Sequence, residues 1–308
     1  MTLDLAVVGA PFFDLTFEGL ERLPKVGEEV VARALHIAPG GTGTQALGAA
    51  RLGLATALVA PIGADPVARL VRAVLESEGV KILACDGAAE DAAGAQANVG
   101  VPTTALLTTP RGVAMATALG GEEPRAEDVA RVDVRAAMLS LGRLSLAPPG
   151  AAVYAVTGGL ELPHVDGATM KRLATVRALL VNAAEATALS GRSDPEAAAR
   201  DLARQVSTAV VTLGADGALA VEDGQVTRAS APRVVERDAT GAGDLFAAAY
   251  VWADLCGASP GERLAWSSLY AALSVRAPTA FSGALREEEL LAEGRARGLV
   301  PPGGLGKD

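Results

Sequence analysis

The stretch LLVNAAEATALSGRSDPEAAARDLARQVSTAVVTL, residues 179–213, carries the pattern that decides the architecture. An unbroken apolar run at residues 179–181 reads as a buried strand, helices follow over 184–189 and 195–205, and a second apolar run at 209–213 closes the unit. A strand, a helical crossover and a second strand in this order predict parallel pairing, and parallel strands are covered on both faces. The same alternation extends in both directions. Toward the N-terminus, residues 3–8 read as a strand ending at Gly9. Asp65 N-caps a helix with Pro66 at its first position, and Val67, Leu70, Val71, Val74 and Leu75 recur at helical spacing up to Gly79. Residues 80–84 and 152–156 read as further strands. Toward the C-terminus, more strands follow residue 213, then helices from Ala242, Gly261 and Arg286. The expected fold class is α/β, with a mostly parallel central sheet between two helical layers. Two groups with partial alternation, residues 28–37 and 96–118, are bounded by Gly or Pro and predict a small sheet outside the main core, built from segments near 12–38 and 95–118. No internal repeat or linker divides residues 1–300, and residues 301–308 read as a frayed tail.

Composition narrows the function. The chain has 308 residues, 50% of them hydrophobic, but only ten aromatics, so it offers few ring platforms for single-stranded nucleic acid. A net charge of -9 repels polyphosphate backbones, and no nucleic-acid partner is expected. Cys85 and Cys256 stand 171 positions apart, which excludes a CxxC site and a disulfide-stapled scaffold. Apolar runs such as residues 52–64 fall short of the ~18 residues that span a bilayer, and the start MTLDLAVVGAP carries no basic n-region. These features predict a cytoplasmic protein without a membrane partner.

The strongest chemical signal is Asp238-Ala239-Thr240-Gly241-Ala242-Gly243-Asp244, followed by the apolar helical run 245–255. Small residues at a helix start let backbone N–H groups approach an anion closely, and the helix dipole adds positive charge there. A carboxylate at Asp244, inside such a cradle, is placed to take a proton from an attacking hydroxyl.

This string resembles the C-terminal signature of the ribokinase-like, or pfkB, family of carbohydrate and nucleoside kinases. Other segments agree in order. Gly40-Gly41-Thr42-Gly43-Thr44-Gln45-Ala46, running to Gly53, is similar to the family's N-terminal glycine signature, and Gly9 with Asp14 to its sugar-binding start. Gly63 and Asp65 match its GxD turn, Asn182 to Glu185 its NxxE motif, and Thr212-Leu213-Gly214 with Gly217 its nucleotide loop. The resemblance spans roughly residues 3–292. It implies a three-layer ribokinase-like fold with a β-sheet lid, and phosphoryl transfer from ATP to a hydroxymethyl group of a sugar, or of a nucleoside in the alternative reading. Asp244 would be the general base, with Gly241, Ala242 and Gly243 as the anion hole. Asp14, Gly40, Gly41 and Gln45 would bind substrate. Asn182, Thr212, Gly214, Gly217, Gly241 and Gly243 would bind ATP, Asn182 and Glu185 would hold Mg2+ through water, and Asp238 would help hold a monovalent cation such as K+. The chain departs from the pattern at Gln45, where the family usually has Asn, and at Ala68, where it usually has Gly. The family's middle Asp or Asn has no counterpart at Thr157-Gly158-Gly159.

Two other readings compete with this one. Gly41-x-Gly43-x-x-Ala46 with Asp65 fits a dinucleotide fingerprint and predicts an NAD-dependent dehydrogenase. A non-catalytic sugar sensor of the same fold is the other, against which the intact Asp244 argues. A Walker ATPase is excluded, since no Lys follows the required glycines and precedes Ser or Thr. The kinase reading predicts an unphosphorylated substrate. Phosphosugar kinases of the family resemble a pattern with Lys in the glycine signature and Arg on the lid strand, whereas Thr42 and the run 95–98 stand here, with Arg33 and Arg111 as exceptions. It also predicts a homodimer joined through the lid, whose apolar face would be Val30, Leu35, Ile37, Val99, Val101 and Leu106.

Overall fold

Leu5, Ala6, Val7 and Val8 are completely enclosed, as an apolar run must be when strands pair with it on both edges and helices cover both faces. They belong to β1 (Leu3–Val8) of the computed structural model, which describes residues 3–85, 100–120 and 123–304. There follow β2 (Pro11–Glu18), β3 (Ala34–Gly41), α1 (Thr42–Arg51), β4 (Thr56–Ala60), α2 (Pro66–Ser77) and β5 (Lys81–Ala84). Next come β6 (Thr103–Thr109), β7 (Gly112–Ala118), α3 (Ala126–Ala130), β8 (Val134–Ser140), β9 (Ala152–Val156), α4 (Gly167–Arg172) and β10 (Ala178–Asn182). The chain continues through α5 (Ala183–Ser190), α6 (Pro195–Leu202), β11 (Thr208–Thr212), β12 (Ala218–Glu222) and β13 (Gln225–Ala229). It closes with α7 (Ala242–Leu255), α8 (Pro260–Ser274), α9 (Ala280–Gly283) and α10 (Glu287–Arg295).

Among the described residues nine strands form the central sheet in the order β13-β12-β11-β10-β9-β8-β1-β4-β5, with β12 antiparallel to both of its neighbours and every other pair parallel. Because side chains alternate across a strand, Leu5 and Val7 enter one core and Ala6 and Val8 the other. The first core takes α1, α2, α7 and α8; the second takes α3, α5 and α6. This is the expected three-layer arrangement. Asp65 caps α2 as read, its Oδ1 accepting from the Val67 and Ala68 amides at 2.8 and 3.1 Å.

The second sheet, β3-β2-β6-β7, stands apart from the first. Its boundaries correct the sequence reading. Residues 28–33 form no strand, and β3 runs instead from Ala34 to Gly41, because its partner β2 pairs Glu18 with Ala34 and Pro11 with Gly41. Pro11 blocks a helix but opens a strand without loss, and Pro39 sits on an edge strand, where a missing N–H is tolerated. β6 starts at Thr103; the expected strand residues 96–99 lie outside the described residues.

The single apolar face expected for this sheet is also corrected. Thr16 of β2 pairs with both His36 and Leu106, so Leu106 shares its face with Asp14 and Thr16, while Leu35 and Ile37 point to the opposite side. Leu106 and Val101 are buried, whereas Leu35 and Ile37 are about half exposed.

Candidate active site

The turn that precedes α7 is built by glycine. Gly241 caps the helix with φ +77°, and a Cβ there would lie 2.6 Å from the Ala280 Cβ, so conformation and space both demand glycine. The Thr240 N–H donates to Asp238 Oδ1 at 2.9 Å and the Ala242 N–H to the Ala239 carbonyl at 3.2 Å, which fixes the loop. The amides of Gly243 and Asp244 follow in the first turn, where a helix offers no carbonyl of its own.

This turn separates two cavities. The larger, of about 310 Å3, is walled by Ala239, Ala242, Gly243 and Phe246 on one side and by Thr212, Gly214 and Gly217 on another, with Pro232, Val234 and Ala271 closing its apolar end. It is thus reached by the carboxyl end of β11, where open α/β sheets bind ligands. Gly217 also has a structural role, since a Cβ would strike the Ala229 carbonyl at 2.0 Å. The smaller cavity, about 80 Å3, is lined by Asp14, Thr44, Asp238, Thr240, Gly241 and Asp244.

Three carboxylates therefore share one small space. Burial pushes the Asp244 carboxyl up to about 7, with Asp14 and Glu185 adding repulsion and a Gln45 hydrogen bond opposing them. Asp14 is pushed up to about 6, again chiefly by burial, against a hydrogen bond from Thr104. Asp14 fits because position 40 is glycine: a Cβ there would sit 2.0 Å from Asp14 Oδ2. Gly40 thus makes room for the carboxylate, where the sequence suggested room for a ligand. Gly41 (φ +54°) starts α1 under the Phe12 ring, and the first residue of that helix, Thr42, donates from its hydroxyl to the Gly9 carbonyl at 3.0 Å. Gln45, 6% exposed, donates from Nε2 to Asp244 Oδ1 at 2.7 Å.

Asn182 and Glu185 close a reciprocal cap on α5. Asn182 Oδ1 accepts the Glu185 N–H at 2.9 Å and Glu185 Oε2 accepts the Asn182 N–H at 2.8 Å. Neither residue lines either cavity, although Asn182 pairs with Thr212 at the carboxyl ends of β10 and β11. No cluster of three or more His, Cys, Asp and Glu that could hold a metal occurs among the described residues. One carboxylate with an oxygen left over from the cap suits Mg2+ held through its waters, so the residues fit that ion. Asp238 Oδ2 is buried and has no hydrogen-bond partner among the described residues, an orphan acceptor that fits a cation.

Sequence reasoning missed two features. Thr104 of β6 is the cross-strand neighbour of Asp14 and holds its carboxyl down against burial, from a strand with no recognisable motif. Arg143 lies over Gly9 at the end of β1, held by Glu123 at 2.5 and 2.7 Å and by Ser140 at 2.8 Å, with Glu161 at 3.4 Å. No local signal links these four residues. Arg143 reaches Gly9 because β1 and β8 end side by side.

The dinucleotide-binding alternative does not survive this geometry. Gly41 and Gly43 follow β3 of the small sheet, not a strand of the parallel sheet, and Asp65 is occupied by the α2 cap and by the Gly100 N–H at 2.8 Å.

A comparison with protein families matches residues 161–285, from Glu161 through the turn at Asp244, to the pfkB family carbohydrate kinases. Solved structures align over nearly the whole chain. The ribokinase of Thermotoga maritima gives a TM-score of 0.76 at 22% identity, covering 94% of this chain and 98% of that one. A Burkholderia thailandensis nucleoside kinase solved with inosine gives 0.76 at 20% identity, covering 98% and 99%. An Arabidopsis thaliana ribokinase complexed with ribose and ATP gives 0.74 at 22% identity, covering 95% and 98%. No curated protein matches the chain. At these identities the solved structures establish the fold. With the family match they bear out the resemblance: the chain has the ribokinase-like fold and the pfkB kinase signature.

Proposed function

We propose that this protein transfers the γ-phosphoryl group of ATP to a hydroxymethyl group of an unphosphorylated sugar. The observation that carries the reading is that one turn, residues 238–244, walls both cavities: Ala239, Ala242 and Gly243 face the larger, and Asp238, Gly241 and Asp244 the smaller. ATP in the larger cavity and an acceptor hydroxyl in the smaller would meet at Gly241 to Gly243, over the positive end of α7. Phosphoryl transfer asks mainly for positioning and charge stabilisation. The Gly243 and Asp244 amides supply the latter; the Ala242 amide is already spent on Ala239, which narrows the anion hole. Asp244, titrating near neutrality, takes the acceptor's proton. Asp14 orients the substrate from the lid. Asn182 and Glu185 would hold Mg2+ through water, and Asp238 a monovalent cation. The magnesium ion would neutralise charge on the ATP phosphates.

An unphosphorylated acceptor is supported by electrostatics. Asp14, Asp238 and Asp244 repel a second phosphate, and nearby guanidinium groups are already matched, Arg143 by Glu123 and Glu161, Arg237 by Glu18. Arg33 is likewise paired with Glu18, and the run 95–98 lies outside the described residues. The test is ATP consumption with Mg-ATP over a panel of pentoses, hexoses, keto-deoxy acids, sugar phosphates and nucleosides. Best turnover on a free sugar supports the reading; best turnover on a nucleoside selects the alternative kinase; no acceptor-dependent consumption overturns it.

We also propose that the lid joins two copies. Among the described residues no further strand pairs with either edge of the four-stranded sheet, β3 or β7, and Leu35, Ile37, Val113 and Met115 are exposed on it. Light scattering at micromolar concentration is expected to give twice 30.9 kDa. A monomer mass refutes the dimer, and a dimer that survives Ile37→Glu with Met115→Glu refutes the lid as its interface.

A further inference from the structure

The turn at Asp244 has a partner from 199 positions earlier in the chain. Gln45 projects from the first turns of α1, is 94% buried by its 6% exposure, and donates from Nε2 to Asp244 Oδ1 at 2.7 Å. The two helices approach closely at this level because position 48 is glycine; a Cβ there would lie 2.7 Å from Leu245 Cδ2 and 3.2 Å from Ala248 Cβ. One turn away from Gln45 the helix contact is therefore locked, and the amide has little freedom to leave the carboxylate. The other oxygen, Asp244 Oδ2, lies on the Gly241 side, where a Cβ on that residue would be 3.9 Å away.

We propose that Gln45 is a positioning residue for Asp244: it ties Oδ1 to α1 and so presents Oδ2 to the acceptor hydroxyl. The inference rests on Asp244 being the base. It assigns the Gln45 amide nitrogen to the protein's own carboxylate and leaves only its Oε1 for a substrate.

The groups that face Asp244 give the contact a second consequence. Asp14 on β2 and Asp238 in the loop before α7 line the same cavity, and Glu185 on α5 adds repulsion from outside it, all carboxylates, while Gln45 from α1 donates a hydrogen bond. That donor favours the ionised carboxylate against its neighbours. Gln45 thereby also keeps Asp244 available as an acceptor of protons at neutral pH. It sits beside the Gly40-Gly41 turn that accommodates Asp14, so α1 links the lid carboxylate to the helix that carries the base.

The test compares Gln45→Leu, Gln45→Asn and Gln45→Glu in the full chain with Mg-ATP and the best acceptor from the panel. A lost hydrogen bond to a charged group lowers kcat on the order of 10-fold or more in Gln45→Leu, with the KM for ATP within about 2-fold. The acid limb of its kcat profile shifts to higher pH. Gln45→Asn, one carbon shorter, gives the same direction. Gln45→Glu keeps the shape but donates only while protonated, so its activity falls as pH rises through neutrality, opposite to the wild type. In the Asp244→Asn background the Gln45→Leu change has no further effect on turnover. A 13C NMR titration of the ligand-free protein, following the Asp244 carboxyl, reads the same contact without catalysis: its midpoint rises in Gln45→Leu. Loss of activity in Asp244→Asn combined with normal turnover and an unmoved titration in Gln45→Leu overturns the positioning role alone. Full activity in Asp244→Asn overturns the base on which it rests.

Discussion

Of the three carboxylates in the small cavity, Asp244 and Asp14 come from regions that are built differently. Asp244 stands on α7, whose residues from Leu245 to Ala253 are all buried between α1, α8 and the sheet. Asp14 stands on β2 of an outlying sheet whose edge strand β7 is exposed along nearly its whole length. The first is held by the core of the molecule, and the second by its immediate surroundings: the cross-strand neighbour Thr104, the space left by Gly40 and, further along β2, the ion pairs of Glu18 with Arg237 and Arg33 and its hydrogen bond with His36. Hydrogen bonds from Arg237 first, then from His36 and Arg33, hold the Glu18 carboxyl down at about 2. The proposed function puts the chemistry on the anchored carboxylate and substrate selection on the one from the lid.

The sharpest way to break this division is to neutralise each carboxylate in turn. Asp244→Asn is expected to lower kcat by ~10²- to 10⁴-fold while both ligands still bind, as loss of a general base does. Asp14→Asn should instead raise the acceptor KM by roughly 10-fold or more, as for a lost hydrogen bond to a charged group, with a smaller change in kcat. Steady-state kinetics and calorimetric binding separate the two, and equal kcat losses in both variants would erase the distinction.

The glycines beneath them sharpen it further. Gly241→Ala meets a left-handed φ and the 2.6 Å approach to Ala280, so it should cost about 2–4 kcal/mol of stability and lower Tm as well as turnover. Gly40→Ala, at an ordinary φ, displaces the Asp14 side chain and should reproduce the KM defect of Asp14→Asn with a milder loss of Tm. A Tm unchanged in Gly241→Ala contradicts the tight turn.

The smallest effect is on stability against pH. In the folded protein Asp244 binds a proton below about 7, whereas its ordinary value is 3.8, so between these values the native state holds a proton that the unfolded chain has released. Stability of the ligand-free protein therefore rises as pH falls through about 7, and Asp14, at about 6, adds in the same direction. Glu18 acts oppositely, but only as pH falls through the ordinary carboxylate range toward 2. Calorimetric scans should give a higher Tm at pH 5.5 than at pH 8, and Asp244→Asn should flatten that slope and raise Tm at pH 8. The reverse slope in the wild type would sink the burial argument.

The same contrast explains what the sequence could tell. The anchored half is legible because period and punctuation coincide: Asp65-Pro66 starts α2, Asp194-Pro195 starts α6, and the glycines of 238–244 mark the start of α7. The lid is harder because β2 carries Asp14 and Glu18, residues that disfavour strands, and what makes them tolerable lies elsewhere, in Gly40 and Arg237. Within the central sheet, β8 escaped notice because Arg135 interrupts its apolar run; the guanidinium is satisfied by Asp4, more than a hundred residues away. For the site, the sequence named Asp14, Gly241 and Asp244, which line one cavity. It had no means of showing that Gln45 turns onto Asp244, or that Asn182 and Glu185 engage each other's backbone, since both depend on how elements pack and cap.

The central claim is that Asp244 accepts the acceptor's proton at the turn between the two cavities. The direct test is the single-turnover rate of phosphoryl transfer, with Mg-ATP and acceptor both saturating, measured from pH 5 to 9. The account predicts a rate that climbs about 10-fold per pH unit below about 7 and levels above it, and a slow profile without that limb in Asp244→Asn. A wild-type rate independent of pH across this range, or an Asp244→Asn variant that retains the limb, would contradict it.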